Sequence, residues 1–411
     1  MNRRVVVTGM GALSALGSEW SVARQSLEAG RSAIRVLEEL GEFEGMDTRL
    51  GAPLQDFETP AHYPRKRTRS MGRVSLLAAR ATELALEDAT LTDHAVLSSG
   101  QTGISYGSTS GSPPAMGSFA SRLHDSRTLK GICSTDYLQF MSHTVPANLS
   151  QFFGIRGRMI PTTSACTAGS QGIGYGYEAI ASGKQQVMIA GGAEEFHPSD
   201  VCVFDVMYAT STRNSAPETT PRPFDVARDG LVIGEGAGTL ILEELTHAQE
   251  RGAKIYAEVL GFATNCDGKH ITSPDAEGMA RVLLEALSDA ELQPEEIDYV
   301  NAHGTATLAG DIAESLATET VLGGHTPISS LKSFLGHTLG ACGALEAWLS
   351  IEMLRQHWFA PTLNLDHVDP RCADLDYIQQ EGRVIDARFV MSNNFAFGGV
   401  NTSLIFGHPP S

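Results

Sequence analysis

The chain of 411 residues is 42% hydrophobic and 19% charged, which excludes a disordered chain and supplies a core larger than one ordinary domain needs. A formal net charge of −18 excludes a general nucleic-acid binder, whose affinity would come from a positive surface. No run of ~20 apolar residues occurs and the six cysteines have neither paired nor metal-type spacing, so the expected location is the reducing cytoplasm.

Val5 to Thr8 reads as a short buried strand. Two arginines before it give the N-terminus a faint likeness to a signal peptide, but Thr8 and the glycines after it break the apolar run well short of a membrane span. Trp20 to Leu27 has helical spacing. Arg65 to Arg73 is the one dense basic run, directly before a helix through Leu76, Leu77, Ala78 and Leu84. In so acidic a chain this run suggests a docking face for an acidic partner. Gln101 to Ser108 reads as a strand entering a polar Gly/Ser loop.

Pro161-Thr-Thr-Ser-Ala-Cys166-Thr-Ala-Gly169 then feeds a helical pattern that runs through Tyr177, Ala179 and Ile180 to Gly183. A thiol on that first turn sits among unpaired backbone N–H groups at the positive end of the helix dipole, which favours thiolate. Most cysteines in an intracellular chain are small buried hydrophobes, and Cys133, Cys202, Cys266, Cys342 and Cys372 are read that way. Cys166 departs from it because of its neighbours. Gln186 to Ala193 is an apolar strand, so strand, helix and strand in this order imply parallel pairing. Another apolar run at Thr239 to Leu242 and a helix from His247 to Gly252 close a first half, residues 1–252.

The second half, 253–411, repeats the rhythm. Ile297 to His303 reads as a strand ending in histidine, followed by Gly304-Thr-Ala-Thr307 and a helix from Asp311. Leu331 to Leu345 resembles the Cys166 stretch, a polar turn and then a helix starting with small residues. Val390 to Phe406 reads as two strands joined through a glycine turn.

Four segments carry a family likeness: Ser-Ala-Cys166-Thr-Ala-Gly, Asn-Ala-His303-Gly-Thr-Ala-Thr, Lys332-Ser-Phe-Leu-Gly-His337 and Asn-Phe-Ala-Phe397-Gly-Gly. In order and spacing they resemble the β-ketoacyl-acyl carrier protein synthases of the thiolase superfamily, the synthase II type most closely, over essentially the entire chain. The resemblance implies an α/β, thiolase-like fold of two similar βαβ-rich halves in five α/β/α/β/α layers. It implies an acyltransferase that joins a Cys166-bound acyl group to malonyl-carrier protein by decarboxylative Claisen condensation in fatty acid elongation. A thiolate suits the first step, being both nucleophile and leaving group.

By the same resemblance, the backbone N–H groups of Cys166 and Phe397 hold the oxyanion, and His303 and His337 donate to the enolate oxygen. Lys332, paired with Glu346, acts electrostatically and not as a base. Thr305, Thr307, Thr272 and Ser273 match positions that contact the phosphopantetheine arm, and Asp311 and Glu314 are read as supporting or helix-capping groups. Ser110 falls where a bulky residue often limits the acyl pocket, leaving room for a longer or stiffer chain. Arg65, Lys66 and Arg69, with Arg127 and Lys130, fall on the face that docks acidic acyl carrier protein. No bound metal, nucleotide or flavin is expected, the pantetheine arriving on the carrier, and the family implies a dimer.

Several positions depart from the family pattern. Ala396 stands for a usual glycine, Asn394 for serine and Val400 for threonine; Lys269 replaces a common aromatic and Tyr208 a common arginine. Ser110 and the altered loop favour, as an alternative, the ketosynthase of a polyketide or aryl-polyene system working with a chain-length-factor-like subunit. A non-catalytic chain-length factor would lack the cysteine. A thiolase would carry a second cysteine in the glycine loop after Phe397, where none stands.

Overall fold

The computed structural model of the protein describes residues 3–125 and 127–410. Ten strands form one sheet: β1 (Val5–Ser14), β2 (Thr102–Gly107), β3 (Met159–Thr162), β4 (Val187–Glu194), β5 (Gly236–Glu244), β6 (Ala257–Cys266), β7 (Tyr299–Asn301), β8 (Ile328–Ser329), β9 (Phe389–Ala396) and β10 (Val400–Gly407). Their spatial order is β3-β2-β4-β5-β1-β6-β10-β9-β7-β8. Read from each outer edge inward, the first five strands and the last five follow one and the same order.

Strand directions repeat too. β2 pairs parallel with β3 and β4, as β7 does with β8 and β9. β5 pairs antiparallel with β4 and β1, as β10 does with β9 and β6. The halves join where Val5 to Val7 of β1 pair antiparallel with Val259 to Ala257 of β6. The similar rhythm of the two halves of the sequence is therefore a repeat of topology.

Five helices build the layers: α1 (Arg73–Asp88), α2 (Ala168–Ala181), α3 (Ala276–Asp289), α4 (Leu308–Leu322) and α5 (Cys342–Gln356). α2 touches β2 and β4 of one half and β6 and β10 of the other, and α5 touches β1, β4 and β5 as well as β9. These two helices pack on each other between the half-sheets, and almost all their residues are buried, as their small and apolar composition requires. α1 covers the outer face of the first half through Val74, Leu77, Ala78, Ala81 and Ala85. α3 does the same for the second, against β6 and β10, and α4 packs beside it. The result is the expected five layers.

Glycine sets how closely the middle layer approaches. A Cβ on Gly169 of α2 would lie 2.8 Å from the backbone nitrogen of Ala344 in α5, and one on Gly238 of β5 would lie 2.8 Å from the Ala344 carbonyl carbon. Between β2 and β3 the chain also forms helices Pro113–Asp125, Ser134–Phe140 and Thr144–Phe153, which the sequence reading did not anticipate.

Candidate active site

The two central helices start side by side, and the site is built at those starts. Cys166 sits in a 3₁₀ turn, Ala165–Thr167, immediately before α2, with Ala165 at φ 51°. Its carbonyl accepts a hydrogen bond at 3.2 Å from the thiol of Cys342, the first residue of α5. Two sequence-distant turns therefore lock each other.

His337 follows the short helix Lys332–Leu335. Its backbone bonds Val232 and Gly234, the N–H donating to Val232 O at 2.7 Å and the carbonyl accepting from Gly234 N–H at 2.9 Å. Its Nδ1 accepts from Leu339 N–H at 3.3 Å, so the ring proton is on Nε2, which lies 3.0 Å from Cys166 Sγ. His303 lies two residues beyond β7, where Glu314 of α4 accepts from the N–H groups of His303 and Gly304, both at 2.7 Å. The His303 and His337 rings meet edge to face, centroids 5.2 Å apart. The sulfur and one ring nitrogen from each histidine lie within 4.8 Å of one another.

Lys332 is 2% exposed, its ammonium paired with the Glu346 carboxylate. Burial works to lower the Lys332 pKa, and Glu346 outweighs it and holds the ammonium above its ordinary range. Burial first and Lys332 second push both histidines well below the usual imidazole range, so both are neutral at pH 7. A thiol and two imidazoles are also a soft-metal donor set, but the Lys332 cation, which acts on all three, disfavours a dication there.

The thiolate expectation is corrected. Burial pushes the Cys166 thiol up to about 12, and the opposing pull of Lys332 and the backbone N–H is smaller. The resting side chain is a neutral thiol because desolvation costs the anion more than the helix start returns.

A cavity of about 260 Å³ opens onto Cys166, His303 and His337. Thr305, Thr307, Thr272, Ser273 and Phe397 line it, and Lys332 and Glu346 are not part of that lining. Among the described residues, neither Cys166 nor Phe397 gives its backbone N–H to a backbone carbonyl. The Phe397 ring lies 5.2 Å from that of Phe204, and Gly398 N–H bonds Ile271 O at 2.8 Å, tying this turn to the segment that carries Thr272 and Ser273.

Ser110 is not brought to the cavity lining. Its loop is tied to the turn between His337 and Cys342: Glu194 Oε2 accepts from Thr109 N–H at 2.8 Å and from Gly340 N–H at 2.9 Å. Nor does Asp311 cap α4. It lies inside the first turn, accepting from Phe224 N–H at 2.7 Å and Ala306 N–H at 3.1 Å beside Arg228. Lys269 is engaged by Asp275 and Glu277 on the surface.

Arg65, Lys66, Arg69, Arg127 and Lys130 are all exposed. Gln139 of the helix Ser134–Phe140 donates to the Arg69 carbonyl at 3.3 Å, tying the segment that follows Arg127 and Lys130 to the basic turn. Tyr208 is 87% exposed.

Sequence reasoning missed three residues of the site: Cys342, Glu194 and Asn394. The side chain of Asn394 donates to Glu346 Oε2 at 2.7 Å. Cys342 and Glu194 carried no signal beyond composition; Asn394 had one, its departure from serine inside a quoted motif.

The description "Beta-ketoacyl synthase, N-terminal domain" matches residues 2–248, and "Beta-ketoacyl synthase, C-terminal domain" matches 256–366. The chain is 37% identical over 413 residues to 3-oxoacyl-[acyl-carrier-protein] synthase 2 of Synechocystis sp., covering 98% of both chains. A solved β-ketoacyl synthase from Burkholderia phymatum is 57% identical with a TM-score of 0.97, over 99% of this chain and 100% of that one. The ishigamide ketosynthase/chain length factor is 33% identical with a TM-score of 0.91 over 100% of both.

Proposed function

The chain belongs to the β-ketoacyl synthase family, and we propose that it is the 3-oxoacyl-[acyl-carrier-protein] synthase of fatty acid elongation, with Cys166, His303 and His337 as the groups that touch substrate. The observation that carries this reading is the convergence of one thiol and two neutral imidazoles on one cavity lined by hydroxyls.

In the first step Cys166 attacks the acyl thioester carbonyl. The oxyanion falls to the N–H groups of Cys166 and Phe397, each donor typically worth about 2.7–4 kcal/mol in acyl transfer. As the intermediate collapses, the pantetheine thiolate leaves and takes up the proton that the Cys166 thiol gives up. In the second step the malonyl thioester carbonyl accepts from the Nε2–H groups of His303 and His337. CO₂ departs, and the C–C bonding pair becomes an enolate whose oxygen those donors stabilise. The enolate carbon attacks the acyl-cysteine, and Cys166 leaves as thiolate, which takes one proton from water to return to the resting thiol. Lys332, ion-paired and outside the cavity lining, adds to burial in keeping both imidazoles neutral and holds no proton in transit.

The two halves divide at residues 252 and 253, a division supported by the repeated strand order. Thr305, Thr307, Thr272 and Ser273 bind the pantetheine arm, and the exposed basic residues dock the acidic carrier protein. The likeness to the ishigamide ketosynthase/chain length factor supports a dimer, with itself or with a homologous subunit. No helix among the described residues is long and apolar enough to cross a membrane, and all six cysteines are unpaired, which supports the cytoplasm as its place. The test is product formation: acyl- and malonyl-carrier protein with the enzyme should give 3-ketoacyl-carrier protein and one CO₂ per condensation. Product without CO₂, or CO₂ without a new C–C bond, would overturn the reading.

A further inference from the structure

We propose that Asn394 is a positioning residue that sets the tautomer of His303, its amide NH₂ bridging the Glu346 carboxylate and the Nδ1 side of the imidazole so that Nε2–H faces the substrate. This rests on the reading above for its consequence, but not for its geometry.

Asn394 lies in β9, fully buried and paired with Thr402 of β10. Its Nδ2 is 2.7 Å from Glu346 Oε2, and the other oxygen of that carboxylate is taken by the Lys332 ammonium. An ionised carboxylate only accepts, so the amide must present its NH₂ there; turned over, it would set two oxygens against each other. The same nitrogen lies 3.5 Å from His303 Nδ1, and Cys342 Sγ, a weaker acceptor, is farther at 3.7 Å. An amide nitrogen has no lone pair to offer. A proton on Nδ1 would therefore meet a second N–H, and the ring carries its proton on Nε2 instead.

His337 reaches the same tautomer by another device, the Leu339 N–H on its Nδ1. Together the two rings present a pair of Nε2–H donors, as an enolate oxygen requires. Burial and Lys332 keep His303 neutral, so which nitrogen holds its single proton decides whether it donates or accepts.

A second observation separates this role from packing. Among the described residues none donates a hydrogen bond to the buried Asn394 Oδ1, and a Cβ on Gly343 would lie 2.5 Å from it. The fold leaves space for an amide whose oxygen goes unsatisfied, a breach of the usual rule for buried polar groups that a space-filling residue would not need.

Histidine-selective ¹⁵N labelling of the full-length protein, with His303→Ala to assign the signal, reads the tautomer without substrate. The proposal expects a protonated Nε2 and a bare Nδ1 on His303. Asn394→Asp sets an acceptor against Nδ1, and should move the proton onto it and lower malonyl-thioester decarboxylation on the order of 10²-fold more than it lowers Cys166 acylation. Asn394→Ser should keep the fold, confirmed by thermal melting, and mix the tautomers. A protonated Nδ1 in the wild type overturns the proposal. So does a folded Asn394→Asp protein that decarboxylates normally, or one in which acylation and decarboxylation fall together with the tautomer unchanged. If the wild-type protein takes no acyl group, the condensing reading fails, while the wild-type spectrum still decides the tautomer.

Discussion

The sulfur of Cys166 lies 3.0 Å from Nε2 of His337, yet the thiol is pushed up to about 12 by its burial. The arrangement holds the nucleophile in reserve: a neutral thiol at rest, with an imidazole N–H and a neighbouring ammonium ready to stabilise the anion as it forms.

Alkylation should expose this directly. Below its pKa the thiolate fraction of Cys166 rises tenfold per pH unit, so its rate with iodoacetamide should climb with that slope from pH 7 to 9.5 without levelling off. Cys133 is exposed and its thiol is shifted below the usual range by the Thr135 hydroxyl, so it should react first and level off earlier. Peptide mapping by mass spectrometry separates the two.

Breaking the buried Lys332–Glu346 pair from one side should cost more than removing both. Lys332→Met or Glu346→Leu alone leaves an uncompensated buried charge, a loss of about 3–5 kcal/mol, whereas the double variant should recover much of it. Chemical denaturation of the three variants measures this. The double variant should still have reduced condensing activity, because burial keeps His303 and His337 neutral but the cation that also acts on Cys166 is gone.

Charge reversal at Arg65, Lys66 and Arg69 should raise KM for the carrier-borne substrate at low salt and leave kcat unchanged. The effect should shrink as ionic strength rises, because the patch is exposed and its field is screened. A simple pantetheine thioester should show no change. Steady-state kinetics with both substrates, at two salt concentrations, distinguishes docking from chemistry.

Much of the architecture was legible in the sequence because the strands and central helices are apolar, and four short motifs carry the chemistry in fixed order. Strand lengths were underestimated where glycine interrupts the apolar run: β1 continues through Gly9 and Gly11 to Ser14. The helices from Pro113 to Phe153 were missed because Pro, Gly and Ser punctuate them. At the site, the positions of Cys166, His303, Lys332 and His337 were readable, but the ionisation of Cys166 was not. The helix start is visible in sequence, whereas the burial that overrides it arises only when α2 and α5 close on each other. The clamp of Glu194 on Thr109 and Gly340, beside Ser110, was likewise invisible, because it is a contact between distant segments. Cys342 and Asn394 act through the Cys166 carbonyl and the Glu346 carboxylate, partners that no local pattern names.

The most direct test is intact-protein mass spectrometry of the wild type and Cys166→Ala after incubation with acyl-carrier proteins, followed by malonyl-carrier protein. The account predicts one acyl adduct per chain in the wild type, none in Cys166→Ala, and loss of the adduct as 3-ketoacyl product appears. An adduct that survives in Cys166→Ala, or one that malonyl-carrier protein does not discharge, would contradict it.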